Sequence, residues 1–218
     1  MPVVNHAPRG ATGVIHLAGD MTIIRLVGGT PVVYLFDEYH PDEEHGDACV
    51  QGNIANAHIL RQATDIGLVG VEGYDGGLVF DQDHRKYHMY EYTPGEIGPA
   101  TLIGGAPQFA QAMAGAGLVV VGIDCRGLCD FIEVDEAWEP EPPEPIGNHP
   151  DQFLRTRHFL NTLFRERARL GRCGDMMLNA GRNHIDRIVG MVADGTVDQV
   201  AGERASFVRL RHPTYPNV

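Results

Sequence analysis

A chain of 218 residues with 43% hydrophobic and 21% charged residues can bury one substantial core and has the composition of an ordinary globular domain. Its formal net charge of −12 repels phosphate backbones, and no run of about 18 or more apolar residues occurs, so nucleic-acid binding and a membrane-spanning helix are both disfavoured. The start, MPVVNHAPRGATG, has neither the basic residues nor the apolar stretch of a secretion signal, which makes the cytoplasm the expected address. Cys49, Cys125, Cys129 and Cys173 follow no zinc-ribbon spacing and are expected as free thiols. The one basic run, Arg155 to Arg172, has the spacing of a solvated helical face rather than a phosphate cradle.

In chain order, residues 13–17 and 22–27 alternate or run apolar and predict short strands, with Gly28, Gly29 and Pro31 as the turn that follows. The stretch VVYLFDEYH, Val32 to His40, then predicts a strand over 32–36 buried on both faces and ending on Asp37, Glu38 and His40. From Gln51 onward Ala55, Ile59, Ala63 and Ile66 recur at helical spacing, with Gly67 as the stop. LVGVEG, Leu68 to Gly73, repeats the theme of an apolar strand ending on a carboxylate, Glu72. A strand–helix–strand unit of this length places both strand ends on one sheet edge, so Glu72 is expected to face the space near Glu38 and His40.

Residues 74–105 are rich in Gly, Tyr, His and acidic residues without sustained period, and read as irregular structure that can cover that edge as a lid. Pro107 opens a short helix closed by Gly117, and LVVVGID, 118–124, predicts another buried strand with an acidic end, Asp124. Trp138 and the acidic, proline-rich residues 139–150 predict an extended surface loop. A helix follows from Asp151, on which Phe153, Arg157, Leu160 and Phe164 share one stripe, so Arg157 is expected on the inward face and in need of a partner. After a turn at 171–174, residues 176–179 predict a strand, Gly181 to His184 the strand-to-helix turn, and Ile185, Ile188, Val189 and Val192 the buried face of a helix ended by Gly195. SFVRL, 206–210, predicts a last strand. The fold class expected is α/β, a mostly parallel central sheet flanked by helices with an antiparallel N-terminal lead-in, in a single domain over 1–218.

Wound in this way, Glu38, His40, Glu72, Asp124, Arg157 and His184 converge on the carboxyl edge of the sheet, where α/β folds bind ligands. Two histidines among carboxylates suit a divalent metal with an activated water, or general base catalysis with a carboxylate orienting the imidazole. Each residue also has an ordinary structural reading: His40 as a turn residue, Glu72 as a turn cap, His184 as a helix start, Arg157 in a salt bridge, and Asp124 as common turn chemistry. No phosphate-binding GxxxxGK[ST] and no GxSxG nucleophile elbow occurs. His84 and His88 stand four apart, but no glutamate follows the first, as a helical zinc-protease motif requires.

The order LFDEYH, GVEG, a helix bearing an inward arginine, then AGRNHIDRIVGMV resembles the superfamily of erythromycin esterases, ChaN-like haem-uptake proteins and TraB and Tiki domains. In that group two Gly-x-x-His turns and intervening acidic residues line one pocket at the edge of a mostly parallel sheet. Gly181 and His184 match the second turn, His40 with Glu38 the first, Glu72 the acidic strand end and Arg157 the helical arginine; Asp37 departs from the pattern by standing at the first turn's glycine. The resemblance implies a hydrolase of ester or amide bonds in a small molecule or peptide, assisted by zinc or manganese as in Tiki-like relatives or metal-free as in the esterases. His40 would be base or ligand, Glu38 and Glu72 would orient it or complete the coordination, His184 would be the second ligand or acid, and Arg157 would hold an anionic group. His40, Glu72 and His184 are the metal ligands so implied. The ChaN-like branch implies instead haem held by Tyr or His, and a third reading is a non-catalytic pocket serving regulation or assembly.

Overall fold

A computed structural model describes residues 17–38, 46–75, 79–80, 106–124, 150–171 and 174–211. The chain runs β1 (Asp20–Arg25), β2 (Val32–Glu38), α1 (Gly46–Ala63), β3 (Ile66–Asp75), β4 (Val79–Phe80), α2 (Ala106–Gly115), β5 (Val119–Asp124), α3 (Pro150–Arg169), β6 (Asp175–Gly181), α4 (Arg182–Asp194), α5 (Val197–Ala201) and β7 (Ser206–Arg211). The strands form one sheet in the order β1-β7-β2-β6-β3-β5-β4. From β7 to β5 every pairing is parallel, while β1 on β7 and β4 on β5 close the two edges antiparallel. The α/β class with an antiparallel start is therefore the fold of this chain.

The central strands are continuous apolar runs because helices cover both faces. Alternate residues point to opposite sides. Val33 and Leu35 of β2, Met176 and Leu178 of β6 and Ile123 of β5 meet Phe159, Leu160 and Leu163 of α3 and Ile185, Ile188 and Met191 of α4. On the other face Tyr34, Phe36, Val69, Val71 and Met177 meet Ala57 and Leu60 of α1 and Phe109 and Met113 of α2. The two cores share only the sheet between them. Gly70 sets the approach of α3: a Cβ there would lie 2.7 Å from Ile123 Cγ2 and 3.0 Å from Leu163 Cδ1, so the helix packs this close only over a residue without a side chain.

Several boundaries differ from the sequence expectation. Ile66 and Gly67, expected as the end and stop of α1, open β3 instead: Ile66 pairs with Asp175, and the Asp175 N–H donates to Asp65 O at 2.9 Å. Sheet pairing overrides a helical period that happened to continue through Ile66. β1 spans 20–25 rather than 22–27, and of the strand expected over 13–17 only Leu17 is described; it is buried and lies outside any strand. Asn56 of α1 fastens this lead-in, accepting from Ala18 N–H and donating to Ala18 O, both at 2.8 Å. Most of the expected lid and the expected surface loop lie outside the described residues. Among the described residues no helix is long and apolar enough to cross a membrane.

Candidate functional site

Parallel winding brings the carboxyl ends of β3, β5 and β6 together beneath the start of α3. Gly181 ends β6 and caps α4, and its N–H donates to Glu72 Oε2 at 2.6 Å. Glu72 thus sits at the positive end of a 13-residue helix, a favourable place for a carboxylate. A Cβ at position 181 would come within 3.3 Å of that oxygen, so glycine leaves the carboxylate its seat. His184 lies in the first turn of α4, 4% exposed, with its ring against Phe159 at 4.6 Å between centroids.

α3 supplies the cation. Arg155 forks onto Asp124, Nε to Oδ1 at 2.8 Å and Nη2 to Oδ2 at 2.5 Å, and the same Nη2 reaches Glu72 Oε1 at 3.0 Å. Its Nη1 lies 3.4 Å from His184 Nε2, and Glu72 Oε1 lies 3.5 Å from the same nitrogen. On the other side of the ring Thr156 Oγ1 stands 2.7 Å from Nδ1. Asp124 and Thr156 are wholly buried, whereas the side chains of Glu72 and Arg155 keep 17% and 14% of their exposure, so the cluster meets solvent on the Glu72 and Arg155 side. Burial pushes the His184 pKa down from 6.5; the Glu72 and Asp124 carboxylates pull it back, and Arg155 and Arg187 add to the depression. Burial therefore favours the neutral form of the imidazole.

Of the residues expected from sequence, the structure brings Glu72, Asp124 and His184 together. Arg157 is a correction. It lies on the exposed face of α3 with its guanidinium over the Phe153 ring at 5.7 Å, and Phe153 itself is 41% exposed. The inward arginine is Arg155. The phase is set by Thr156, Phe159, Leu160 and Leu163, all fully buried, and Phe153, taken as part of the stripe, does not belong to it. Taking Phe159 and Leu163 as the stripe would have pointed to Arg155 and Thr156, each a helical turn before one of its residues. Glu38 is buried at the end of β2, where alternation puts it on the α1 side with Tyr34 and Phe36. His40, His84 and His88 lie outside the described residues.

Asp37, at the position of the expected glycine, is fully buried and answers to a different partner. Arg209 of β7 grips it with both ends of its fork, at 2.8 and 2.7 Å, while Arg209 Nη1 reaches Asp186 of α4 at 2.6 Å and Arg211 Nε stands 3.4 Å from Asp37. Burial raises the Asp37 pKa, against the hydrogen bonds and charge of Arg209 and the charge of Arg211. The main-chain carbonyl of Asp37 is held from the other face by Asn53 Nδ2 of α1 at 2.8 Å. This second cluster ties β2, β7, α1 and α4 together beside the first; nothing in the sequence alone paired Asp37 with a residue 172 positions away.

The zinc or manganese implied by the family resemblance asks for three or more donors around one point. Among the described residues no group of three His, Cys, Asp or Glu side chains is placed to hold an ion. Glu72 and His184 are the near donors, and Arg155 already lies against both. A guanidinium in that position repels a second cation, so the described residues do not by themselves fit a metal; His40, the third expected ligand, is not among them. What they do form is a neutral imidazole flanked by a carboxylate and an anchored arginine, an arrangement suited to moving a proton beside a polarised oxygen. Comparison with known proteins finds no matching protein family, no similar curated protein and no similar solved structure.

Proposed function

We propose that the protein is a hydrolase of ester or amide bonds in a small molecule or peptide, with His184 as its general base. One observation carries this reading: a buried histidine whose Nδ1 is held by Thr156 turns its Nε2 toward Glu72 and Arg155 at the carboxyl edge of a parallel sheet, where α/β folds bind ligands. His184 Nε2 takes a proton from water as the water oxygen attacks the carbonyl carbon. The imidazolium so formed lies beside the Glu72 and Asp124 carboxylates, which oppose the cost of charging a buried ring. Arg155, fixed by Asp124, turns its guanidinium to the carbonyl oxygen as that oxygen gains charge. As the tetrahedral intermediate collapses, the bond to the leaving oxygen or nitrogen breaks and His184 returns its proton to that atom.

The test is hydrolysis of a panel of p-nitrophenyl esters and peptide p-nitroanilides by the full chain and by His184→Ala, Glu72→Gln and His40→Ala. Loss of a general base lowers the rate about 10²-fold or more, so His184→Ala is expected to abolish most turnover while circular dichroism stays native. Glu72→Gln should fall by about tenfold, and His40→Ala shows whether the residue two beyond Glu38 takes part. Repeating the assay with a chelator, and with added zinc or manganese, separates base catalysis from metal-assisted hydrolysis. Undiminished turnover in a folded His184→Ala protein would end the proposal.

A further inference from the structure

We infer that Thr156 is a positioning residue that fixes the tautomer of His184, accepting a hydrogen bond from Nδ1–H so that the Nε2 lone pair faces the site. The inference rests on the hydrolase reading for its catalytic meaning, and on geometry alone for the tautomer. A neutral imidazole carries one proton, and its two nitrogens meet different partners. Nε2 faces Arg155 Nη1 at 3.4 Å, and a guanidinium nitrogen can only donate. A proton on Nε2 would set donor against donor. Glu72 Oε1, the acceptor on that side, stands 3.5 Å away and already receives Arg155 Nη2 at 3.0 Å. Nδ1 instead meets a hydroxyl at 2.7 Å, and a hydroxyl rotates to accept.

Thr156 is fully buried, so bulk water does not compete for Nδ1, and the Phe159 ring at 4.6 Å blocks the imidazole from swinging away. Arg155 and Thr156 are consecutive on α3. One short piece of helix therefore faces both nitrogens of the ring: the arginine disfavours a proton on Nε2, and the threonine provides for the one on Nδ1. Without the hydroxyl, the buried Nδ1–H would lose its partner and the proton would gain reason to move to Nε2, the nitrogen that has to accept one from water.

The measurement is long-range proton–nitrogen NMR of full-length protein labelled with 15N-histidine, His184 being assigned from His184→Gln. Wild type is expected to show a protonated Nδ1 and a bare Nε2, Thr156→Val to shift His184 toward Nε2–H, and Thr156→Ser to restore the wild-type pattern. In the hydrolysis assay kcat should fall by about 10- to 100-fold in Thr156→Val, with KM little changed, and recover in Thr156→Ser. Should the valine variant fail to fold, Thr156→Ala gives the same readings. An Nε2–H tautomer in wild type, or a tautomer indifferent to removal of the hydroxyl, overturns the inference whether or not hydrolysis is seen. An Nδ1–H tautomer lost in Thr156→Val from a protein that hydrolyses nothing sustains the positioning role and refutes the hydrolase reading instead.

Discussion

Burial of its ring makes His184 a reporter of stability. Its folded pKa lies below 6.5 while the unfolded chain titrates near that value. As pH falls below about 6.5 the unfolded state binds a proton that the folded state refuses, and stability is lost at up to about 1.4 kcal/mol per pH unit until the folded pKa is passed. Above that window the contribution is complete. Urea midpoints measured from pH 7.5 down to 5.0 should therefore drop, and drop less steeply in His184→Gln; parallel profiles for the two proteins would contradict the placement of the ring. Asp37 runs in the opposite sense. Its folded pKa lies above 3.8, so its contribution is present below that value and is lost as pH rises through the folded pKa.

At the scale of elements, α3 decides the site, because a shift of two residues along a helix turns a side chain to the opposite face. Arg155→Met and Arg157→Met test the phase directly. Removing Arg155 leaves Asp124 wholly buried without the cation that grips both its oxygens, and breaking a buried pair in this way costs about 3–5 kcal/mol. Arg157 is exposed over Phe153, and its loss should change stability by no more than about 0.5 kcal/mol. A lower urea midpoint for Arg157→Met than for Arg155→Met would show that the helix faces the other way. The strands were legible because burial on both faces writes each as a run of apolar residues, and the start of α4 was legible because Gly181 to His184 interrupts one period and begins another. The phase of α3 is hidden in the sequence because Phe153 extends the wrong stripe, and the Asp37–Arg209 pair is invisible there because periodicity carries no record of which distant strands become neighbours.

For the molecule as a whole, sheet order matters more than strand count. β2 and β3 follow one another along the chain, joined by α1, yet they do not touch; β6 lies between them, pairing with β2 through Val33 to Glu38 and with β3 through Ile66 to Val71. A ribosome thus makes both outer members of this trio long before the piece that unites them. Until residues 175–181 emerge, the facing edges of β2 and β3 have open hydrogen-bonding flanks, a state inviting chaperones or self-association. A fragment ending at Gly174 is expected to precipitate or to show no cooperative melting, and tethered nascent chains should gain protease resistance only once the final strands have cleared the exit tunnel. A chain cut short anywhere before its closing segment is then expected to lack a fold altogether rather than to keep part of one.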